Sequence, residues 1–243
     1  MPGNVENIRP YGSSAGREHP EHFKRPDSLT LDIHGHIMTE GIDEEVRKHV
    51  PANTLDAVKY ASPLTREISK KQNEDRHEEL VGVTKRLADM DKMCVDVMAI
   101  SPQPPQMHYD APDALGQETA QKVNDNIANA VSQAPDRLIG LGTVPLQNTD
   151  MALKELDRLI GELGFKGIQI GAQIGKDELS AERLEPFWAK CSEMEIPILL
   201  HPTSFASERF GAHYMTNIIG NPLDTTVAIH SLIFDGVLAR YPG

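Results

Sequence analysis

Five short apolar runs alternate with longer helix-like segments along this chain, and this alternation constrains the fold more than any other feature. The runs cover residues 29–36, 95–101, 138–144, 167–171 and 196–201. Strands that alternate with helices predict a parallel sheet with right-handed crossovers. Four of the five runs are almost continuously apolar, which is typical of strands buried on both faces. The pattern therefore predicts an α/β fold built around a parallel sheet.

Segments with apolar residues at helical spacing separate these runs. They cover about 74–92, 116–133, 181–194 and 224–239, and a further helix lies between Asp150 and Gly164. Gly164 is a natural end for that helix, because glycine readily adopts the left-handed conformation of a C-terminal cap. The polar stretch over about 39–73 has no clear period, so no element is predicted there.

The first run differs from the others because polar and apolar residues alternate along it. Successive side chains of a strand point to opposite faces. One face therefore carries Leu29, Leu31 and Ile33, and the other carries Asp32, His34 and His36. Two imidazoles side by side make half of a tight metal site, and His201, which closes the fifth run, is the third candidate ligand. Both runs end at their histidines, and α/β folds place their chemistry at such carboxyl ends.

Composition and charge argue against several classes of protein. The formal net charge is −12 at pH 7, whereas a nucleic-acid interface requires a basic surface. No apolar run has the length of a transmembrane helix, and no apolar signal-peptide core is visible near the N-terminus. Cys94 and Cys191 lie in helix-like segments, where free thiols are favoured over a disulfide. We therefore expect a cytoplasmic protein that binds neither nucleic acid nor membrane.

The length of the chain limits how much of a barrel it can form. A closed (β/α)8 barrel typically needs about 250 residues, and this chain has 243, with long segments after its first two strands. Five strands are predicted, and the chain stops at Gly243, where a sixth is expected. We therefore expect residues 29–243 to form a TIM (β/α)8-type barrel domain that lacks its last three strands. Residues 1–28 have no apolar period and are expected to be a flexible segment.

Five segments, in their order along the chain, resemble one known family. They are Asp32-Ile-His-Gly-His, Asp136-Arg-Leu-Ile-Gly-Leu-Gly-Thr-Val-Pro-Leu-Gln, Leu163-Gly-Phe-Lys-Gly-Ile-Gln-Ile-Gly, Ile196-Pro-Ile-Leu-Leu-His-Pro and Gly220-Asn-Pro-Leu-Asp-Thr-Thr-Val-Ala-Ile. Together they resemble the amidohydrolase superfamily, in the branch that contains 2-amino-3-carboxymuconate 6-semialdehyde decarboxylase and related aromatic-acid decarboxylases. The His-x-His pair alone is a weak signal, whereas the ordered set is a strong one.

The resemblance implies a distorted barrel with one divalent metal ion, Zn²⁺ or alternatively Mn²⁺. The family's metal histidines fall on His34, His36 and His201. Asp32 could bind the ion itself, but its position deeper in the strand favours a partner that orients one of the histidines. Two further family residues are expected beyond Gly243: an acid/base histidine on the sixth strand and a metal-binding aspartate on the eighth.

The activity implied by the resemblance is that of a metal-dependent decarboxylase, a carbon–carbon lyase. It would act on a carboxylated aromatic or muconate-like acid through a metal-bound water. The same water could instead serve a hydrolase or hydratase of a ring-cleavage product. A third alternative is an inactive fragment that only binds or oligomerises. The family often dimerises, so a homodimer remains open.

Four residues near the expected barrel mouth are candidates for contact with the small-molecule carboxylic acid substrate. His108 and Tyr109 lie in a Pro-rich loop after the second run, although loop histidines are usually solvated. Thr203 and Phe205 follow His201 directly. The segment Thr203-Ser204-Phe205 stands where the decarboxylase usually has Trp-Asp-Met, and this departure leaves the identity of the substrate open.

Overall fold

The structure, a computed structural model, describes residues 27–50, 60–203, 205 and 207–243. Seven strands lie in this part of the chain: β1 (Leu31–Ile37), β2 (Val97–Pro102), β3 (Leu138–Gly142), β4 (Gly167–Gly171), β5 (Gln173–Ile174), β6 (Asp177–Glu178) and β7 (Ile198–His201). Five of them form one sheet in the order β1-β2-β3-β4-β7. Every pairing in that sheet is parallel. The short strands β5 and β6 form a separate antiparallel hairpin.

Helices connect the strands of the main sheet. The α-helices in the described residues are α1 (Ile42–Arg47), α2 (Pro63–Asp75), α3 (His77–Val81), α4 (Val83–Met93), α5 (Asp113–Gln133), α6 (Thr149–Gly161), α7 (Glu185–Glu193), α8 (Asn221–Phe234) and α9 (Val237–Arg240). Short 3₁₀ turns over Pro104–Met107, Glu182–Leu184 and Glu208–Phe210 and a π-helical turn over Thr216–Gly220 complete the connections. None of the helices in this part of the chain is both long and apolar enough to cross a membrane.

The predicted α/β fold is confirmed, since each of the five apolar runs overlaps one strand of the parallel sheet. The core lies where helices cover this sheet. All five residues of β4 are buried, and helix α5 contacts both β2 and β3. Its side chains Val123 and Ile127 are fully buried in the same cluster as Ile100 of β2 and Ile168 of β4. These four positions supply the dense apolar packing that a two-sided sheet requires.

The prediction of one helix over 74–92 is wrong, because the chain forms three successive helices over 63–93. Gly82 ends the second of them with an extended backbone, φ −89° and ψ 130°. Helix α2 has no buried residue, so it carries no apolar stripe by which a sequence pattern could be recognised. The predicted flexible segment over 1–28 lies outside the described residues apart from Asp27 and Ser28.

Strand β1 leaves its apolar face exposed. Leu31 is 46% exposed and Ile33 is 62% exposed, although both lie on the face of the strand that alternation assigns to apolar residues. Strand β1 is at one edge of the sheet, and among the described strands it pairs only with β2. The buried part of β1 is therefore its end, where Gly35 and Ile37 are buried and His36 is partly buried beside β2.

Both cysteines are free, as the sequence predicts. Cys191 lies on α7 and is buried in the core, whereas Cys94 is only partly buried. Burial raises the pKa of the Cys191 thiol to about 12. The thiolate of Cys191 is therefore absent at neutral pH, and this residue behaves as a small apolar side chain.

Gly140 of β3 lets Phe165, in the segment that leads to β4, pack closely against the sheet. A Cβ atom on Gly140 would lie 2.7 Å from the ring of Phe165, which is only 4% exposed. We expect Gly140→Ala to lower the free energy of unfolding by about 1–3 kcal/mol, because the buried ring cannot move away without disturbing the core. Urea denaturation measures this change.

The matched control for this substitution is Gly161→Ala in helix α6, where nothing lies within 4 Å of the added methyl group. Here the free energy of unfolding should be unchanged or rise by up to about 1 kcal/mol, since alanine is the better helix former. Equal effects at the two positions would contradict the packing argument.

Candidate metal centre

Three histidines from opposite edges of the sheet converge on one point. His34 and His36 belong to β1, and His201 ends β7. Their potential ligand atoms all lie within 4.8 Å of one another. The centroids of the three rings are separated by 4.8, 5.0 and 5.3 Å. Because β1 and β7 are the two edge strands of the sheet, this convergence requires the sheet to curve into half of a barrel.

The geometry of β1 brings its two histidines to the same side. The register between β1 and β2 shifts between Asp32 and Gly35, which marks an irregularity in the strand just before His36. A Cβ atom on Gly35 would lie 2.6 Å from Sδ of Met98. Glycine at this position therefore lets β1 approach β2 closely while the rings on either side of it turn toward the interior.

Backbone carbonyls favour hydrogen on Nδ1 of two of these rings. Nδ1 of His36 lies 3.0 Å from the carbonyl oxygen of Pro102, and Nδ1 of His201 lies 2.8 Å from that of Pro202. A carbonyl oxygen can only accept, so we assign hydrogen to Nδ1 in both rings. The Nε2 atom of each ring then presents a lone pair, which is the form of histidine that binds metal.

The donor set fits a divalent cation. Nε2 of His34 lies 3.1 Å from Nε2 of His36, so their lone pairs face each other unless a proton or a cation lies between them. Burial, followed by the charges of His201 and His34, lowers the pKa of His36 to about 3. Burial also lowers the pKa of His201. Both rings are therefore neutral at pH 7, as metal ligands must be.

Two charged groups contact the main chain of the histidine strand. The carboxylate of Asp32 accepts a hydrogen bond of 3.0 Å from the backbone N–H of His34. The buried guanidinium of Arg86 donates a hydrogen bond of 2.6 Å to the backbone carbonyl of His36. Asp32 thus contacts the main chain of one candidate ligand on its own strand. Its predicted role in orienting a histidine remains a prediction. Arg86 was not anticipated, although a charged residue within the apolar stripe of helix α4 is a signal that could have been read.

Tyr109 and Thr203 lie beside the end of β7. A Cβ atom on Gly171, which pairs in register with His201, would meet Thr203 at 2.6 Å and Tyr109 at 2.9 Å. The hydroxyl of Tyr109 accepts a hydrogen bond of 3.3 Å from the backbone N–H of Gly171. The backbone N–H of Thr203 donates to the buried carboxylate of Asp224 at 2.8 Å. Helix α8 supplies Asp224, and its contact with Thr203 is a second feature of this region that the sequence did not predict.

The two other candidate substrate residues have different surroundings. His108 is 5% exposed, and its Nε2 lies 3.3 Å from the carboxylate of Asp43. The histidine is therefore buried against an acidic partner and is not the solvated loop residue that such positions usually hold. Phe205 is 39% exposed and follows the end of β7. Contact of either residue with a substrate remains a prediction.

Comparison with known proteins finds relatives that are decarboxylases by name. The chain is 35% identical over 158 residues to 2-amino-3-carboxymuconate-6-semialdehyde decarboxylase of Dictyostelium discoideum, a match that covers 65% of this chain and 44% of the relative. It is 31% identical over 125 residues to gamma-resorcylate decarboxylase of Polaromonas sp., a match that covers 49% of this chain and 38% of the relative. The chain therefore spans less than half the length of these curated relatives.

Solved structures share the fold. The 5-carboxyvanillate decarboxylase of Novosphingobium aromaticivorans, crystallised with manganese and 4-hydroxy-3-methoxy-5-nitrobenzoic acid, matches with a TM-score of 0.76 at 24% identity, over 95% of this chain and 66% of that one. The 2,6-dihydroxybenzoate decarboxylase from Rhizobium matches with a TM-score of 0.69 at 23% identity, over 88% of this chain and 64% of that one.

The family itself is established by a match along most of the chain. The amidohydrolase family description matches residues 31–243, from the first residue of β1 to Gly243, and so includes all three converging histidines. The chain belongs to the amidohydrolase family.

Proposed function

We propose that this chain carries the metal centre of a decarboxylase that acts on a carboxylated aromatic or muconate-like acid. The observation that carries the proposal is the convergence of His34, His36 and His201 at the carboxyl ends of two strands, with their ligand atoms within 4.8 Å of one another. The names of the relatives support the choice of reaction, since those compared above are decarboxylases of such acids. The metal is Zn²⁺ or Mn²⁺, because imidazole suits zinc and a structural relative was crystallised with manganese.

The three histidines would hold the ion through Nε2, while backbone carbonyls retain hydrogen on Nδ1 of His36 and His201. A divalent ion bound there would act as a Lewis acid that stabilises negative charge on a substrate oxygen. In the reaction the bond between the substrate carbon and its carboxylate breaks, CO₂ leaves, and a proton takes its place on that carbon. We assign the binding of the ion and of the substrate to the described residues. We assign none of them as the donor of this proton.

Three residues after the strand ends are suited to binding an aromatic acid. Burial raises the pKa of the Tyr109 hydroxyl to about 12, so the group stays neutral and adds no negative charge beside an anionic substrate. The hydrogen bond from Thr203 to Asp224 fixes the segment that follows His201. Phe205, at 39% exposure, offers a ring against which an aromatic substrate can stack.

A decarboxylation assay tests the proposal. The purified chain is stripped of metal with a chelator, reloaded with Zn²⁺ or Mn²⁺, and incubated with a panel of hydroxybenzoate and carboxymuconate acids. We expect slow CO₂ release, because none of the described residues is assigned as the proton donor. The release should depend on the added ion and fall to background in His34→Ala. The stripped protein without added metal is the control.

Other outcomes of the same assay would replace the proposal. Addition of water to a ring-cleavage product without CO₂ release would indicate a hydratase or hydrolase. Absence of metal binding, with His34→Ala indistinguishable from the original chain, would leave only a binding or oligomerising module.

A further inference from the structure

A buried polar pair lies beside the candidate metal ligands. Ser101 of β2 and Gln169 of β4 are both fully buried within the sheet. A buried hydroxyl and a buried amide are costly unless they are hydrogen-bonded. An apolar residue at either position would avoid that cost. We therefore expect the pair to have a role other than filling the core.

The pair forms a closed loop of hydrogen bonds with the His36 ring. Oγ of Ser101 lies 2.7 Å from Oε1 of Gln169 and 3.1 Å from Nδ1 of His36. Nε2 of Gln169 donates to the carbonyl oxygen of Pro102 at 3.0 Å. That same carbonyl lies 3.0 Å from Nδ1 of His36. Gln169 therefore touches both groups that face Nδ1, although it does not touch the ring itself.

The direction of the Ser101 hydroxyl follows from these distances. A hydroxyl has one hydrogen, and the 2.7 Å contact to the amide oxygen of Gln169 is shorter than the 3.2 Å contact to the carbonyl of Gly35. With its hydrogen directed at Gln169, the oxygen turns lone pairs toward Nδ1 of His36. It can then only accept from that nitrogen. Hydrogen on Nδ1 leaves Nε2 of His36 as the lone pair that faces His34 at 3.1 Å.

We propose that Gln169 is a positioning residue that acts through Ser101 to select the metal-binding tautomer of His36. Without the amide oxygen, the hydrogen of the Ser101 hydroxyl is divided between the Gly35 carbonyl at 3.2 Å and Nδ1 of His36 at 3.1 Å. In the molecules where it points at Nδ1, the ring carries its own hydrogen on Nε2, where it blocks the ion. The inference rests on the proposed metal centre, but the tautomer of His36 can be observed without any metal.

The test uses Gln169→Met, which keeps the length of the side chain and removes the amide. Two-dimensional ¹⁵N NMR of the metal-free chain reports the tautomer of His36. We expect the Nδ1–H form in the original chain and a substantial Nε2–H population in the variant. Titration calorimetry with Zn²⁺ should show an affinity about 10–100-fold lower, the loss typical of an outer partner of a metal ligand.

A double variant separates tautomer selection from packing. Adding Ser101→Ala to Gln169→Met removes the hydroxyl that could donate to Nδ1, while the Pro102 carbonyl still accepts from it. We expect the Nδ1–H tautomer and most of the Zn²⁺ affinity to return. A purely structural role for the pair predicts that the double variant binds zinc no better than the single one, and that result would overturn the proposal.

Gln106→Met is the matched control, because Gln106 is equally buried but bonds to the main chain of Thr39. It should leave the His36 tautomer and the Zn²⁺ affinity unchanged. If Gln169→Met does not fold, the double variant and Ser101→Ala alone still report the tautomer. A majority of Nε2–H in either of them would count against the proposal. If the original chain binds no Zn²⁺, the proposed function fails, yet the NMR comparison still decides the role of Gln169.

Discussion

Replacement of His201 by alanine is expected to abolish stoichiometric binding of a divalent ion. Among the three converging histidines, His201 is the one supplied by β7, while the other two are neighbours on β1. Without it, the ion would be held from one side only. Loss of a partner that merely orients a ligand costs about 10–100-fold in metal affinity, so loss of a ligand should exceed the upper end of that range.

Elemental analysis of the purified protein and calorimetric titration with Zn²⁺ and Mn²⁺ measure this effect. The original chain should bind about one ion per molecule, as expected of a single three-histidine site. His77→Ala is the control, because His77 is half-exposed on helix α3 and pairs with Glu40 at the surface. If His201→Ala and His77→Ala bind the same amount of metal with the same affinity, the convergence of the rings has no role in metal binding.

The three candidate metal ligands were within reach of sequence reasoning because each is marked by a local pattern. His34 and His36 stand on one face of an alternating run, and His201 closes an apolar run. Placement at the carboxyl ends of parallel strands then brings them to one end of the sheet. The strands themselves were predicted for the same reason, since their burial imposes continuous apolar runs, of which β4 (Gly167–Gly171) is the clearest case.

The groups that support the ligands could not be predicted in the same way. Gln169 lies 68 positions from Ser101, and Arg86 lies 50 positions from the His36 carbonyl that it contacts. A hydrogen bond between residues so far apart depends on the register of strands and the packing of helices, which no local period encodes. A buried polar residue within an apolar run is the one readable sign, because it must find a partner somewhere in the fold.

The exposed apolar face of β1 was missed for a related reason. Alternation specifies which residues share a face but not what covers that face. Leu31 and Ile33 follow the pattern of a half-buried strand, yet in β1, an edge strand of the described sheet, they are 46% and 62% exposed. The broken helix over 63–93 likewise depends on Arg76, at φ −117° and ψ 14°, and on Gly82, at φ −89° and ψ 130°, since neither backbone is helical.

The second large effect is expected at an ion pair within helix α6, whose buried carboxylate also accepts a hydrogen bond from helix α5. The carboxylate of Glu155 on α6 is 1% exposed. It accepts hydrogen bonds from Nε and Nη2 of Arg158 at 3.1 and 2.8 Å and from the amide of Asn124 on α5 at 2.7 Å. The hydrogen bonds to Glu155 raise the pKa of Arg158 above its ordinary value, so the guanidinium stays charged in the folded protein.

Arg158→Met is expected to lower the free energy of unfolding by about 3–5 kcal/mol, because it leaves the carboxylate of Glu155 buried without a counter-charge. Urea denaturation followed by circular dichroism measures the loss. Asp125→Asn is the control, because Asp125 also pairs with Arg158, at 2.7 Å, but is 61% exposed. Solvent screens that contact, so its removal should cost at most about 1 kcal/mol.

The double variant Glu155→Met with Arg158→Met distinguishes loss of packing from an uncompensated charge. Removing both partners leaves no buried ion, and Asn124 keeps its hydrogen bond of 2.8 Å to the carbonyl of Thr143. The double variant should therefore be more stable than Arg158→Met alone, since replacing a buried ion pair by apolar residues is often neutral or stabilising. If the double variant is the less stable of the two, the cost of Arg158→Met arises from lost side-chain contacts and the electrostatic explanation is wrong.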